Sequence, residues 1–207
     1  MGSQVSIFSM VNRIYFASAS PRRRKLIEQL GWLFDIILPD ISELCYEGET
    51  ACEYVIRLAC EKSQAGVDMA EKPYPVLGAD TIVVSDGNIL GKPKDENHAA
   101  HILRQLSGKT HQVMTAIVFS DKRNTLYDLI VTKVTLRQLT NKEIDQYILS
   151  GEPMDKAGAY AIQGKGGCFV KRIVGSYHVV VGLPLVETDE LLTKFLALNN
   201  RNESYGS

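Results

Sequence analysis

The chain has 207 residues, 45% of them hydrophobic and 23% charged, with a formal net charge of −1. That length buries a substantial core without covalent staples and suits one compact α/β domain. The near-neutral balance argues against a nucleic-acid partner, and no stretch approaches the ~20 apolar residues that a membrane span needs.

Met1–Asn12 lacks the basic start and long apolar run of a signal peptide and reads as a flexible terminus. Arg13–Ser18 reads as a buried strand, followed by a helix over Pro21–Leu30 with Ser20 as N-cap and Gly31 as its stop. Trp32–Leu38 is a second strand, halted by Pro39, and the polar stretch Asp40–Glu49 leads to a long helix opened by the capping box Thr50-x-x-Glu53. Two of the four cysteines, Cys52 and Cys60, fall two turns apart on that helix, too far to bond each other. With Cys45 and Cys168 they form no C-x-x-C pair, which points to reduced thiols in a cytoplasmic protein.

Val76–Ser85 is a strand turned by Asp86-Gly87-Asn88 into a short partner at Ile89-Leu90. Asp95 caps a helix through Leu106, closed by Gly108; Val113–Ser120 and Leu126–Leu136 then flank a polar turn as an antiparallel hairpin. Thr140-x-x-Glu143 opens another helix that Gly151 ends. Beyond the strand-like residues Ala159–Ile162 and the cluster Gly164-x-Gly166-Gly167, a hairpin is expected between Cys168–Val174 and Tyr177–Val181. A final helix runs from about Pro184 to Leu198, and Asn199–Ser207 reads as a second flexible terminus, leaving 13–198 as the domain. Helices alternating with strands and interrupted by hairpins imply an α/β fold on a mixed sheet, one unit with two lobes around a cleft.

Six places are candidates for chemistry. Ser18-Ala19-Ser20-Pro21-Arg22-Arg23 brings a strand to a helix start, where unpaired N–H groups and guanidinium forks suit a polyphosphate; a capped helix with a solvated basic face fits the same residues. Asp80 lies inside an apolar strand, a costly place for a carboxylate unless it is paired, metal-bound or at a solvent-lined end, so a functional role outweighs a loop contact. Lys92, in Gly91-Lys92-Pro93, is a point charge for phosphate or an ordinary turn residue. Judged singly, Lys62 is a solvated helix lysine and Glu43 a surface acid. The segment Asp155–Gly167 offers small residues and one amide, Gln163, that would suit a flat base laid on backbone; a tight glycine turn fits equally. His98, His101, His111 and His178 share no metal-ligand spacing.

Ser18–Arg23, Gly78-Ala79-Asp80-Thr81, Gly91-Lys92-Pro93, Asp155–Gly164 and Val181-Gly182-Leu183-Pro184 together resemble the Maf (septum-formation-inhibitor-like) nucleoside triphosphate pyrophosphatase family, in the family's order across roughly Arg13 to Phe195. The resemblance implies an elongated α/β domain similar to the inosine-triphosphate pyrophosphatases. It implies hydrolysis between the α and β phosphates with a divalent cation, Mg²⁺ or Mn²⁺, and Asp80 as general base. The three positions that separate the family's subgroups read Arg22, Thr81 and Gln163, as in the dTTP/UTP subgroup. On this reading Ser18, Ser20, Arg22, Lys62 and Lys92 hold phosphates with Arg23 in support, Asp80 and Glu43 contact the metal, and Thr81 and Gln163 read the base. A homodimer is compatible with it. The competing class is a nucleotide-binding inhibitor of cell division that acts without turnover.

Overall fold

The computed structural model describes residues 13–204, with side chains described through Asn199; the expectation for residues 1–12 lies outside them. The strands are β1 (Arg13–Ala17), β2 (Leu33–Ile37), β3 (Val76–Ser85), β4 (Asn88–Leu90), β5 (Thr110–Ser120), β6 (Thr125–Leu136) and β7 (Val170–Val174). The helices are α1 (Pro21–Glu28), α2 (Ala51–Met69), α3 (Glu96–Leu106), α4 (Asn141–Ile148), α5 (Tyr177–Val181) and α6 (Leu185–Ser204), with short 3-10 turns between Glu152 and Phe169. One mixed sheet runs in the order β2-β1-β3-β5-β6-β7, and β4 pairs with β3 off that path. β1 lies parallel to both β2 and β3, whereas β3, β5, β6 and β7 are antiparallel in succession. The parallel pairs are those joined through α1 and α2, as crossover connections require.

The helix starts follow local chemistry. Ser20, Thr50, Asp95 and Thr140 each accept a backbone N–H in the first turn, and the pairs Thr50–Glu53 and Thr140–Glu143 close as full capping boxes. Gly78 explains how α2 reaches the sheet: a Cβ there would lie 2.4 Å from the Ala59 carbonyl oxygen and 2.7 Å from the Ser63 nitrogen. Only glycine lets the helix backbone rest directly on β3.

Two main apolar cores result. The first joins Ile14 and Phe16 of β1 with Leu26 and Ile27 of α1 and Leu192 and Phe195 of α6. The second joins Val83 of β3 with α3, α4, Tyr160 and Phe169. They are the two lobes, and the cleft opens where the end of β1 at Ala17 lies beside the middle of β3 at Asp80–Val83.

Three expectations are corrected. The hairpin partner at Tyr177–Val181 is a helix, because the chain leaves the sheet at Gly175 (φ +125°), where Thr132 Oγ1 holds both the Ser176 N–H and the Ser176 carbonyl. Burial of Val179 and Val181 in the two cores then overrides the β-propensity of the valines. Ala159–Ile162 is a 3-10 turn and irregular backbone, with Ala159 in the left-handed region at φ +58°. Finally, α6 continues to Ser204 rather than fraying at Asn199, whose amide donates to Asp121 and accepts from Asn124 at the β5–β6 turn.

Candidate active site

A cavity of about 710 Å³ lies between the lobes. One wall is the end of β1 and the start of α1. Ser18 Oγ accepts the Ser20 N–H at 3.2 Å, and Ser20 Oγ accepts the Arg23 N–H at 3.4 Å, so both hydroxyls hold the turn in the shape that carries Arg22 and Arg23 to the cavity. Arg23 is the more firmly placed: its Nε donates to the Gly182 carbonyl at 2.7 Å and its Nη2 to Thr81 Oγ1 at 2.9 Å. Burial pulls its pKa down against the attraction of the Asp80 charge. Sequence reading ranked Arg23 behind Arg22; the structure gives it the anchored position.

The floor is β3. Asp80, 8% exposed, has its Oδ1 2.5 Å from the Lys62 ammonium, and Lys62 reaches Glu43 Oε1 at 2.8 Å. Lys62 is therefore not a solvated helix lysine, and Glu43 is not a free surface acid. Burial pushes the Glu43 carboxyl up, but its hydrogen bond from Lys62 and the charges of Lys62, Lys92 and Arg23 outweigh that and hold it below the usual range. The irregular stretch that presents Glu43 is pinned to α2: Tyr54 donates to the Glu43 carbonyl at 2.8 Å, and Arg57 forks onto Glu49 at 2.6 and 2.8 Å while donating to the Leu44 carbonyl. That fork holds the half-buried Glu49 carboxyl down to about 2.

The far wall is the segment 155–163, where Gln163 is exposed to the cavity. Sequence reading missed what shapes it. The Glu152 carboxylate accepts the Lys165 and Gly166 N–H groups, each at 3.0 Å, and the Tyr147 hydroxyl at 2.8 Å; Tyr147 in turn accepts the Ala161 N–H. The Gly158 N–H donates to the Gly91 carbonyl, which ties this segment to the turn that carries Lys92. Lys156, mostly buried beside Asp155, also lines the cavity; the sequence reading placed it in the Asp155–Gly167 segment without a role of its own.

Ser18, Ser20, Arg22, Arg23, Glu43, Lys62, Asp80, Thr81, Lys92 and Gln163 thus line one cavity although the chain disperses them from 18 to 163. Among its described lining residues, five cations (Arg22, Arg23, Lys62, Lys92, Lys156) face three carboxylates (Glu43, Asp80, Asp155), a surplus suited to a polyanion in a near-neutral protein. The Thr81 hydroxyl, expected to read the base, is engaged by Arg23 and Thr115 and keeps one lone pair.

The Asp80–Lys62–Glu43 contact limits how a divalent cation could be held. Two carboxylates converge on a single cation, while no group of three His, Cys, Asp or Glu side chains gathers among the described residues. That fits Mg²⁺ or Mn²⁺ taken on by one or two carboxylates and substrate phosphates, and does not fit an all-protein cage.

Residues 13–195 match the family described as Maf-like protein. The chain is 56% identical over 192 residues to the dTTP/UTP pyrophosphatase of Salmonella typhimurium, covering 93% of this chain and 98% of that one. It is 58% identical over 185 residues to the dTTP/UTP pyrophosphatase of Photorhabdus laumondii, covering 89% and 95%. Among solved structures it is similar to a nucleoside-triphosphatase / dITP/XTP pyrophosphatase of Mycobacterium abscessus, with 13% identity, a TM-score of 0.43, and 94% of this chain and 98% of that one covered.

Proposed function

We propose that this chain, which belongs to the Maf-like protein family, is a pyrophosphatase that hydrolyses dTTP and UTP to the monophosphate and pyrophosphate. The observation that carries the reading is Asp80, held by Lys62 on the floor of a cavity whose wall is the arginine-bearing start of α1. The high identity to relatives named dTTP/UTP pyrophosphatase supports the choice of substrates.

The protein supplies position and charge, which is most of what phosphoanhydride cleavage needs. Ser18, Ser20, Arg22, Arg23 and Lys92 take the triphosphate at the basic wall. Lys62 spends two of its three N–H donors on Asp80 and Glu43 and keeps one for a phosphate oxygen. Asp80 uses Oδ1 for Lys62, so Oδ2 accepts the proton of the attacking water as its oxygen bonds to the α-phosphorus. The bond from that phosphorus to the bridging oxygen breaks, and pyrophosphate leaves with the bond's electrons. Asp80 and Glu43 would hold the divalent cation, Mg²⁺ or Mn²⁺, which when bound neutralises charge on the phosphate oxygens. Gln163 presents a donor and an acceptor to the pyrimidine edge, and a base that leaves them unpaired is discriminated against. The free thiols suit a cytoplasmic location.

Pyrophosphate release is to be measured from dTTP, UTP, CTP, ITP and 7-methyl-GTP. dTTP and UTP should lead the panel, and Asp80→Asn should lower their turnover at least 100-fold while far-UV circular dichroism stays unchanged. Near-normal turnover by Asp80→Asn would remove the base assignment. Tight binding of dTTP by the wild-type chain without any turnover would favour the inhibitor reading.

A further inference from the structure

Thr81 lies on the cavity floor beside Asp80, yet its hydroxyl has little left to offer a nucleotide. A threonine hydroxyl carries one hydrogen. Thr115 Oγ1 donates its hydrogen to the Val179 carbonyl at 2.9 Å, so across the 2.8 Å contact between the two threonines it can only accept. Thr81 therefore donates to Thr115 and turns a lone pair to Arg23, whose Nη2 donates to it at 2.9 Å. The Arg23 Nε–H is taken by the Gly182 carbonyl at 2.7 Å. Two fixed points orient the guanidinium and leave its Nη1 group for an anion.

The direction of donation runs one way, Arg23 to Thr81 to Thr115 to Val179, and the last acceptor is a backbone carbonyl that cannot reverse it. Thr115 is fully buried on β5, at 0% exposure, and cannot touch a ligand. We infer that Thr115 is a positioning residue for the triphosphate: it orients the Thr81 hydroxyl, and through that hydroxyl it aims Arg23 at the phosphates. On this account Thr81 acts on the triphosphate through Arg23. Without the Thr115 hydroxyl, the Thr81 hydrogen is free to turn toward the cavity. One of the two anchors of Arg23 is then a hydroxyl of unfixed orientation, while the nearby Asp80 charge still attracts the guanidinium. The buried valine that Thr115→Val introduces has the same shape, so packing is kept.

The inference rests on the pyrophosphatase reading, and its test separates the two. Thr115→Val is to be compared with wild type, Thr115→Ser, Arg23→Ala and the double variant, each for kcat/KM on dTTP and for calorimetric binding of inorganic triphosphate. Thr115→Val should lower kcat/KM about tenfold and weaken triphosphate binding similarly, with Thr115→Ser restoring both to within twofold. In the Arg23→Ala background Thr115→Val should change either quantity less than twofold, because the two act as one unit. A tenfold loss that persists without Arg23, or no loss in the single variant, overturns the inference. A wild-type chain that binds triphosphate but cleaves no nucleotide overturns the pyrophosphatase reading alone, and the binding cycle then decides the positioning role. A chain that does neither overturns both.

Discussion

His111, behind the cavity on β5, shows what single-residue burial does to this molecule. It is 2% exposed, its Nε2 meets the Tyr160 hydroxyl at 2.8 Å, and its Nδ1 has no partner among the described residues. Ser85 Oγ, one step past the last β3–β5 pair of Val84 with Gln112, is a second buried side-chain polar atom without a partner among the described residues. Burial lowers the His111 pKa to about 4, and burial raises that of Tyr160, so the pair is neutral in the folded protein. The unfolded chain takes up a proton near pH 6.5, where the folded one does not. His111 therefore contributes its full stability above that pH and loses it as pH falls from 6.5 to about 4, a loss of roughly 3 kcal/mol. Carboxylates held low, such as Glu152, add their own losses at lower pH. The check is urea unfolding of wild type and His111→Phe at pH 4.5, 5.5 and 7. The variant should be less stable at pH 7, since Tyr160 loses its partner, but flatter across the range. Equal slopes would show that His111 does not titrate this way.

At the scale of elements, the contact between α2 and β3 couples stability to the site. Gly78→Ala places a methyl 2.4 Å from the Ala59 carbonyl oxygen and 2.8 Å from Ser63 Cβ, and backbone cannot rotate away as a side chain could. The helix must lift, and Lys62, next to Ser63, lifts away from Asp80, two residues along the strand. The expected cost is about 1–3 kcal/mol of stability by urea midpoint and at least a tenfold fall in dTTP turnover. Unchanged turnover in a destabilised variant would show that the Lys62–Asp80 pair tolerates the shift. The spot is legible in the sequence, because Gly78 stands two residues before Asp80 inside an apolar strand, and a glycine there admits close approach of another backbone. The helix starts were equally legible, since Ser20, Thr50, Asp95 and Thr140 act on neighbours three residues away. What could not be read locally acts over distance: α5 is a helix because Thr132, 44 residues upstream, breaks the chain out of the sheet at Ser176. The Thr115–Val179 bond, 64 residues apart in sequence, and the Glu152 cradle under Gln163 lie beyond local pattern for the same reason.

At the scale of the whole molecule, the cavity walls belong to different cores. Arg22 and Arg23 ride on α1, whose Leu26 and Ile27 pack into the first core, while Tyr160 belongs to the second and Gln163 follows it closely in the chain. A ligand gripped at its phosphates by one lobe and at its base by the other should raise the stability of both, not only of the loops it touches. A dTTP analogue with an imido bridge between its α and β phosphates cannot be cleaved there and serves as the probe. At about 100 times its Kd it should add about 2.7 kcal/mol, which for a chain of this size is a rise in Tm of about 5–10 °C. The rise should appear as one shifted transition, since binding couples the lobes. EDTA should remove more than half of the shift, and excess Mg²⁺ should restore it, because Asp80 and Glu43 bring two negative charges to a site that also takes a triphosphate. A full shift in EDTA would mean that Lys62 and the arginines suffice to neutralise the ligand, and the divalent cation would lose its place in the binding step. Two separate transitions, only one of them moved, would show that the ligand grips one lobe and that Gln163 does not take part in holding it.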